Sequence, residues 1–242
     1  MLTTLRPLPD GAKCFDCYQP LTAATAADMR ARGFVAAGRY IENLSLAEVA
    51  AILGSGLGLL AISECQKSGW MPVNGGLKGA WMVNRSRALG LPFGLPLVID
   101  WETPSTAATL DDCEVWLEGA ASTVVAGGYV AALYWGACPI LSGVEAWAIP
   151  SVTLYYKSAS TVPAVPCGYV LVQTAVEQRV GALTVDLDTA QADQHDPPRR
   201  MVALFAGDAP TDPAPPSVPT CLLIAPSAPR RCVRVCRSLS SR

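Results

Sequence analysis

The feature that most restricts what this chain can fold into is a regular alternation of short apolar runs with segments of helical period. Apolar runs that end in polar residues or at turns occupy 12–16, 34–41, 57–66, 95–102, 129–135, 152–157, 169–174 and 183–188. Between the first six lie segments with apolar residues at helical spacing, 22–32, 46–53, 77–89, 110–125 and 141–148. Ser45-x-x-Glu48 and the looser Thr109-x-x-Asp112 place a hydroxyl and an acid where two helices start. Gly33, Gly56 and Gly90 stand where helix C-caps belong. Strand–helix repetition of this kind builds a parallel sheet, open or closed. The turn after the first run reads Cys17-Tyr18-Gln19-Pro20 and has no glycine, so the dinucleotide-binding fingerprint is absent. Eight runs favour closure, and a closed barrel collects its functional groups at the C-terminal ends of its strands.

The last third is less regular. About ten residues, with Pro163 and Pro166 among them, separate the sixth run from the seventh, and 175–182 is too short for a helix crossover. The expected fold is therefore α/β, a distorted or incomplete (β/α)8 TIM-type barrel whose helices are missing in the C-terminal third. Its expected organisation is an N-terminal arm at 1–11, the barrel at 12–208, and a Pro-rich linker with a basic Cys/Arg end at 209–242.

Charge and composition narrow the chemistry. The net charge of −2 divides into a tail of about +4, with five arginines against Asp212, and a body of about −6. Between Arg87 and Lys157 there is no Lys or Arg, whereas Asp100, Glu102, Asp111, Asp112, Glu114, Glu118 and Glu145 all fall there, so nucleic acid is not the expected partner. No uninterrupted apolar run is long enough to span a membrane, and residues 1–10 show no secretory signal pattern. The single histidine, His195, excludes zinc sites built on several histidines; its polar surroundings read as a solvated loop. Of the nine cysteines, Cys14 and Cys17 form a C-x-x-C with no second pair, and they read as small buried apolar residues rather than a redox or metal pair. Carboxylates remain as the carriers of any chemistry.

Those carboxylates gather at strand ends. Asp16 closes the first run, Glu64 lies near the end of the third, Asp100 and Glu102 end the fourth, and Asp186 and Asp188 end the eighth. Residues two apart share a strand face, so each of the last two pairs points together, and closure would set Asp16 beside Asp186. Like charges crowded in a partly desolvated mouth raise the pKa of at least one member, and a protonated acid beside ionised ones is what glycosidic cleavage requires. Glu102 is the candidate general acid. Asp100 and Asp16 are candidates to stabilise positive charge on the sugar or to orient water, and Asp186 to act as a further orienting base. Magnesium or calcium held by the same oxygens is the alternative use of this set; the expectation is no metal and no cofactor. Tyr18, Trp70, Trp101, Tyr134, Trp135, Tyr155 and Tyr156 fall at or beyond strand ends, where aromatic rings can face sugar C–H groups. Each can equally be a core residue, and Trp101, alternating with the acids, is expected to face the helix layer.

Cys14-Phe15-Asp16-Cys17-Tyr18, then Gly38-Arg39-Tyr40, then Asn43-Leu44-Ser45 opening a helix with Glu48, then Gly94-Leu95-Pro96 followed by Leu97-Val98-Ile99-Asp100-Trp101-Glu102, resemble the bacterial and phage glycoside-hydrolase-like domain family, a relative of the family 25 lysozymes. The resemblance spans about residues 12–195. It implies a distorted barrel with Asp16 on the first strand, Asp100 and Glu102 as an Asp-x-Glu pair on the fourth, Gln173 on the seventh and Asp186 in a Val-Asp-x-Asp on the eighth, with the Glu as proton donor. Tyr18, Tyr134, Trp135, Tyr155, Gln173 and Asp188 are then the candidate substrate-binding residues. The implied partner is peptidoglycan or another polysaccharide, with a virion or other protein partner conceivable through the basic tail. The expected location is the host cytoplasm with release at lysis, or the virion. The competing expectation is a catalytically silent carbohydrate-binding or virion structural protein built on the same barrel.

Overall fold

The computed structural model of the chain describes residues 2–65, 74–102, 108–136 and 140–207. Trp70, Cys138, Cys221, Cys232, Cys236 and the expected tail at 209–242 lie outside the described residues. The strands are β1 (Thr3–Pro7), β2 (Lys13–Cys17), β3 (Ala36–Tyr40), β4 (Gly58–Glu64), β5 (Pro96–Trp101), β6 (Val130–Trp135), β7 (Leu154–Lys157), β8 (Leu171–Val180), β9 (Leu183–Ala190) and β10 (Val202–Ala206). The helices are α1 (Ala23–Ala31), α2 (Leu46–Gly54), α3 (Gly75–Ala88), α4 (Leu110–Ala126) and α5 (Gly143–Trp147). None of the described helices is long and apolar enough to cross a membrane.

Strands β2 to β9 close into an eight-stranded barrel. Pairing is parallel from β2 through β8, β9 returns antiparallel to β8, and closure is an antiparallel pairing of β9 with β2. The barrel is thus mixed rather than all-parallel, which corrects the expectation of eight strands in one direction. The cause is local. Only Gly181 and Ala182 separate β8 from β9, and a two-residue turn can join only antiparallel neighbours. Gly181 has a φ of 58°, which suits the tight hairpin turns whose twist matches that of the strands. No helix lies between β7 and β8 or between β8 and β9.

Two strands fall outside the alternation. β1 pairs with β10, and β10 touches the barrel through Leu204 opposite Leu59 near the start of β4. Leu8, Met201 and Ala203 join Cys14, Leu60, Val98, Ala132, Leu171 and Ala190 in the apolar filling of the barrel interior. Side chains of opposite parity, including Phe15, Leu59, Ile99, Trp101, Leu133, Trp135 and Tyr155, face the helices in a larger cluster with Met29, Ile52, Met82, Trp116 and Leu117. Each Phe-sized side chain taken fully out of water there contributes about 1.5–3 kcal/mol. Helices α3 and α4 approach so closely that a Cβ on Gly75 would stand 1.8 Å from the Trp116 carbonyl oxygen.

The helix starts follow the sequence with one exception. Thr109 and Asp112 form a reciprocal capping box. Ser45 caps α2 by accepting from the Glu48 amide, but the Glu48 carboxylate does not return to Ser45. Instead Glu48 Oε1 accepts from Arg39 Nε at 2.6 Å and from the Leu21 amide at 2.8 Å. Arg39, fully buried, also donates to the Cys17 carbonyl. This strut fixes the segment between β2 and α1, which carries Tyr18.

Candidate active site at the barrel mouth

Strand parity and register determine which side chains meet inside the barrel. Asp16 on β2 lies opposite Asp186 on β9 and Gly38 on β3. Glu64 on β4 lies opposite Asp100 on β5, Asp100 opposite Tyr134 on β6, and Tyr134 opposite Tyr156 on β7. Gln173 on β8 lies opposite Asp188 on β9, and Asp188 opposite Cys14. Gly38 leaves the room Asp16 occupies: a Cβ there would stand 2.7 Å from the Asp16 Cβ.

A network of hydrogen bonds fixes the deeper groups. The Tyr156 hydroxyl lies 2.8 Å from Asp16 Oδ2 and 2.6 Å from Asp188 Oδ1. Gln173 Nε2 donates to Asp186 Oδ2 at 3.0 Å and, more weakly, to Asp16 Oδ2 at 3.4 Å. Its Oε1 accepts from the Ala159 amide at 3.0 Å and from the Tyr134 hydroxyl at 3.1 Å. The Ala159 amide can only donate, so it settles which way the Gln173 amide points. It follows that the Tyr134 proton is committed to Gln173. Glu102, just beyond β5, faces that same hydroxyl. Gly136 makes room for it, since a Cβ there would stand 2.5 Å from Glu102 Cγ.

The electrostatics follow from burial without cations. Burial, then Asp186, pushes the Asp16 carboxyl up to about 7. Asp100 is raised well above the usual carboxylate range by burial and then by Glu102. Asp188 is raised well above it by burial and then by Asp16. Glu102 and Asp186 are raised too, with burial again the largest cause. A carboxyl whose pKa is higher folded than unfolded favours the folded state at low pH. That stability is fully present below the unfolded value near 4 and is lost as pH rises through the folded value, near 7 for Asp16. The lowered carboxyls Asp10, Asp112 and Glu145 act oppositely but lie in solvent, where screening weakens them. Melting at pH 5 is accordingly expected on the order of 5 °C above melting at pH 8; a higher melting temperature at pH 8 would contradict these assignments.

At the rim, Tyr18 is 47% exposed and stacks on Tyr40 with ring centroids 4.3 Å apart. It also reaches Glu64. A groove of about 410 Å³ opens beside this pair, with Asp16, Asp186, Thr184 and Glu177 among its walls. Glu177 has a φ of 53°, a left-handed conformation that costs a non-glycine residue energy. It sits at an irregularity in the β8–β9 pairing and donates its amide to Asp186 Oδ1 at 2.6 Å.

The structure therefore gathers Glu102, Asp100, Asp16, Asp186, Gln173, Tyr134 and Tyr18 at the mouth, with Asp188 one layer deeper. Trp135 and Tyr155 are not there. Both face the helix layer, and the Tyr155 hydroxyl donates to the Ala146 carbonyl at 3.0 Å. Strand alternation puts Tyr134 and Tyr156 inside and their neighbours outside. Tyr40 and Glu177 were missed as site residues, and Tyr156, counted among the strand-end aromatics, was left out of the candidate binding set. Tyr40 lies two on from Gly38 and Tyr156 opposite Tyr134 in the register; the bulge that presents Glu177 leaves no sequence signal. Trp101 faces the helices, as its alternation with the acids implied. Cys14 and Cys17 lie on opposite faces of β2, both thiols free and buried, pushed up to about 12 and about 11 by burial. His195 is exposed in a loop. Among the described residues no group of three His, Cys, Asp or Glu side chains is placed to hold a metal ion.

Fold and site together define a closed mixed α/β barrel with an acid-lined mouth. The crystal structure of an uncharacterized B. stearothermophilus protein is similar, with a TM-score of 0.60 and 18% identity over 75% of this chain and 96% of that one. The catalytic domain of endolysin ply40 from bacteriophage P40 of Listeria monocytogenes matches with a TM-score of 0.44 and 13% identity over 74% of this chain and 93% of that one. No protein-family model matches the chain, and no curated protein matches it. The first likeness supports the barrel fold.

Proposed function

We propose that the chain is a glycoside hydrolase acting on peptidoglycan glycan strands, with Glu102 as general acid. The observation that carries this reading is the gathering of Glu102, Asp100, Asp16 and Asp186 at one mouth with no cation among them. Burial raises the Glu102 carboxyl, the Tyr134 hydroxyl opposes that rise, and the charges of Asp186 and Glu64 add to it, which favours a proton on Glu102 at a pH where more exposed acids are ionised. Asp16 supplies negative charge under a sugar that becomes cationic as its bond breaks, Asp100 orients the sugar or water, and Asp186, held by Gln173 and the Glu177 amide, is a further orienting base. The Tyr18–Tyr40 stack offers a flat face for sugar C–H groups. The choice of peptidoglycan rests on the resemblance of the Phe15-Asp16, Asp100-x-Glu102 and Val185-Asp186-x-Asp188 motifs to the lysozyme-related family.

Purified cell walls of several types, incubated with the full chain, are expected to lose turbidity. Retention of the chain on every wall type with no loss of turbidity would favour the silent binding protein instead. Gly136→Ala tests the acid by displacement. The added Cβ would collide with Glu102, so wall clearing should fall at least tenfold while far-ultraviolet circular dichroism stays that of the wild type.

A further inference from the structure

We propose that Asp188 carries a proton and donates it to the Tyr156 oxygen, while Tyr156 donates its own proton to Asp16, forming a buried acid–phenol–carboxylate chain that holds Asp16 ionised from beneath the mouth. A phenol has one proton and two lone pairs. With carboxyl oxygens 2.6 and 2.8 Å away, the Tyr156 hydroxyl can donate to only one of them. The second contact is a hydrogen bond only if that carboxyl is itself the donor; otherwise two oxygens bearing lone pairs would be pressed together in a dry interior.

The surroundings decide which carboxyl it is. Asp16 receives a second donor, Gln173 Nε2, which favours its ionised form. The other Asp188 oxygen, Oδ2, is buried without a partner. An unpartnered carbonyl oxygen of a neutral acid costs far less there than an unpartnered carboxylate oxygen. The contact to Asp188 is also the shorter of the two, as suits an acid donating to a phenol. The groups that face the chain are Cys14 and Asp16 on β2, Tyr40 on β3, Asp100 and Glu102 at β5, Tyr134 on β6, Gln173 on β8 and Asp186 on β9, and none of them is a cation. The carboxyls are raised by burial and by one another, which leaves the deepest one the most readily protonated.

The consequence for catalysis rests on the hydrolase reading: Asp188 is a positioning residue that acts through Tyr156, and Asp16 presents its single negative charge to the sugar. The position of the proton does not rest on that reading. Infrared difference spectra at pH 7 should show the carbonyl stretch of a protonated carboxylic acid that shifts with carboxyl-13C-labelled aspartate. The component of that absorption due to Asp188 should vanish in Asp188→Asn, whose amide can still donate to Tyr156, while a component from the raised Asp100 stays. The Asp188 component should move to higher wavenumber in Tyr156→Phe, where the acid loses its acceptor, and this second variant decides the matter if the first does not fold. Absence of the band in the wild type, loss of a component in Asp16→Asn with none lost in Asp188→Asn, or indifference to Tyr156→Phe would overturn the proposal. In wall cleavage, Tyr156→Phe should move the acid limb of the pH profile to higher pH, because Asp16 loses a donor and ionises less readily. A band that behaves as described in a chain that cleaves no wall would refute the hydrolase reading and leave the proton chain standing.

Discussion

Glu102→Gln is expected to slow wall cleavage about 10²- to 10⁴-fold, the usual loss when a positioned general acid is removed. The substitution keeps the shape of the side chain. The fold survives, and the transferable proton does not. The pH dependence gives a second signature. Glu102 must be protonated to act, and burial, with the charges of Asp186 and Glu64, raises its pKa. Wild-type activity should therefore fall as pH rises through that raised value, and whatever activity Glu102→Gln retains should lack this alkaline limb. A variant with the rate and alkaline limb of the wild type would remove Glu102 from the mechanism.

Glu48→Ala should produce the largest loss of stability, about 3–5 kcal/mol, because it leaves the fully buried Arg39 guanidinium without its counter-charge and the Leu21 amide without its acceptor. Set against a typical total of about 5–15 kcal/mol, that is a fall in melting temperature on the order of 10 °C. Asp28→Ala breaks the exposed pair with Arg32 and should leave the melting temperature close to that of the wild type. Arg39→Met combined with Glu48→Leu should recover part of the loss, since two apolar side chains carry no uncompensated charge. If Glu48→Ala melts like Asp28→Ala, the strut does not hold the β2–α1 segment. Thermal melts of the wild type and the three variants at one pH decide it.

Most of the fold was legible because its strands are short apolar runs ended by polar residues or glycine and its helices carry their own caps. The eight barrel strands and five helices lie where alternation placed them, except that β8 runs on to Val180 through residues read as a connection. Strands β1 and β10 were not legible: Thr3–Pro7 and Val202–Ala206 are short, one polar and ending in proline, and neither belongs to a strand–helix repeat. The direction of β9 depends on how tightly 181–182 turns, which the spacing hinted at and the expectation of a parallel barrel obscured. In the candidate site, acids two apart could be assigned to one face from parity alone, which pairs Asp100 with Glu102 and Asp186 with Asp188, and closure of the barrel sets Asp16 opposite Asp186. Adjacent aromatics could not be assigned so. Tyr134-Trp135 and Tyr155-Tyr156 each offer one inward and one outward ring, and only the register selects Tyr134 and Tyr156. Glu48 shows the same limit. Its capping position was visible in the sequence, and its buried partner Arg39, nine residues away on the outer face of β3, was not.

The central claim is that the acid-lined mouth cuts glycosidic bonds with a proton from Glu102, and the most direct measurement is the release of new reducing sugar ends from purified peptidoglycan by the full chain and by Glu102→Gln side by side. The account predicts that reducing ends accumulate with the wild type and at least about a hundredfold more slowly with the variant. Equal release by both, or solubilised wall with new peptide termini and no new reducing ends, would contradict it.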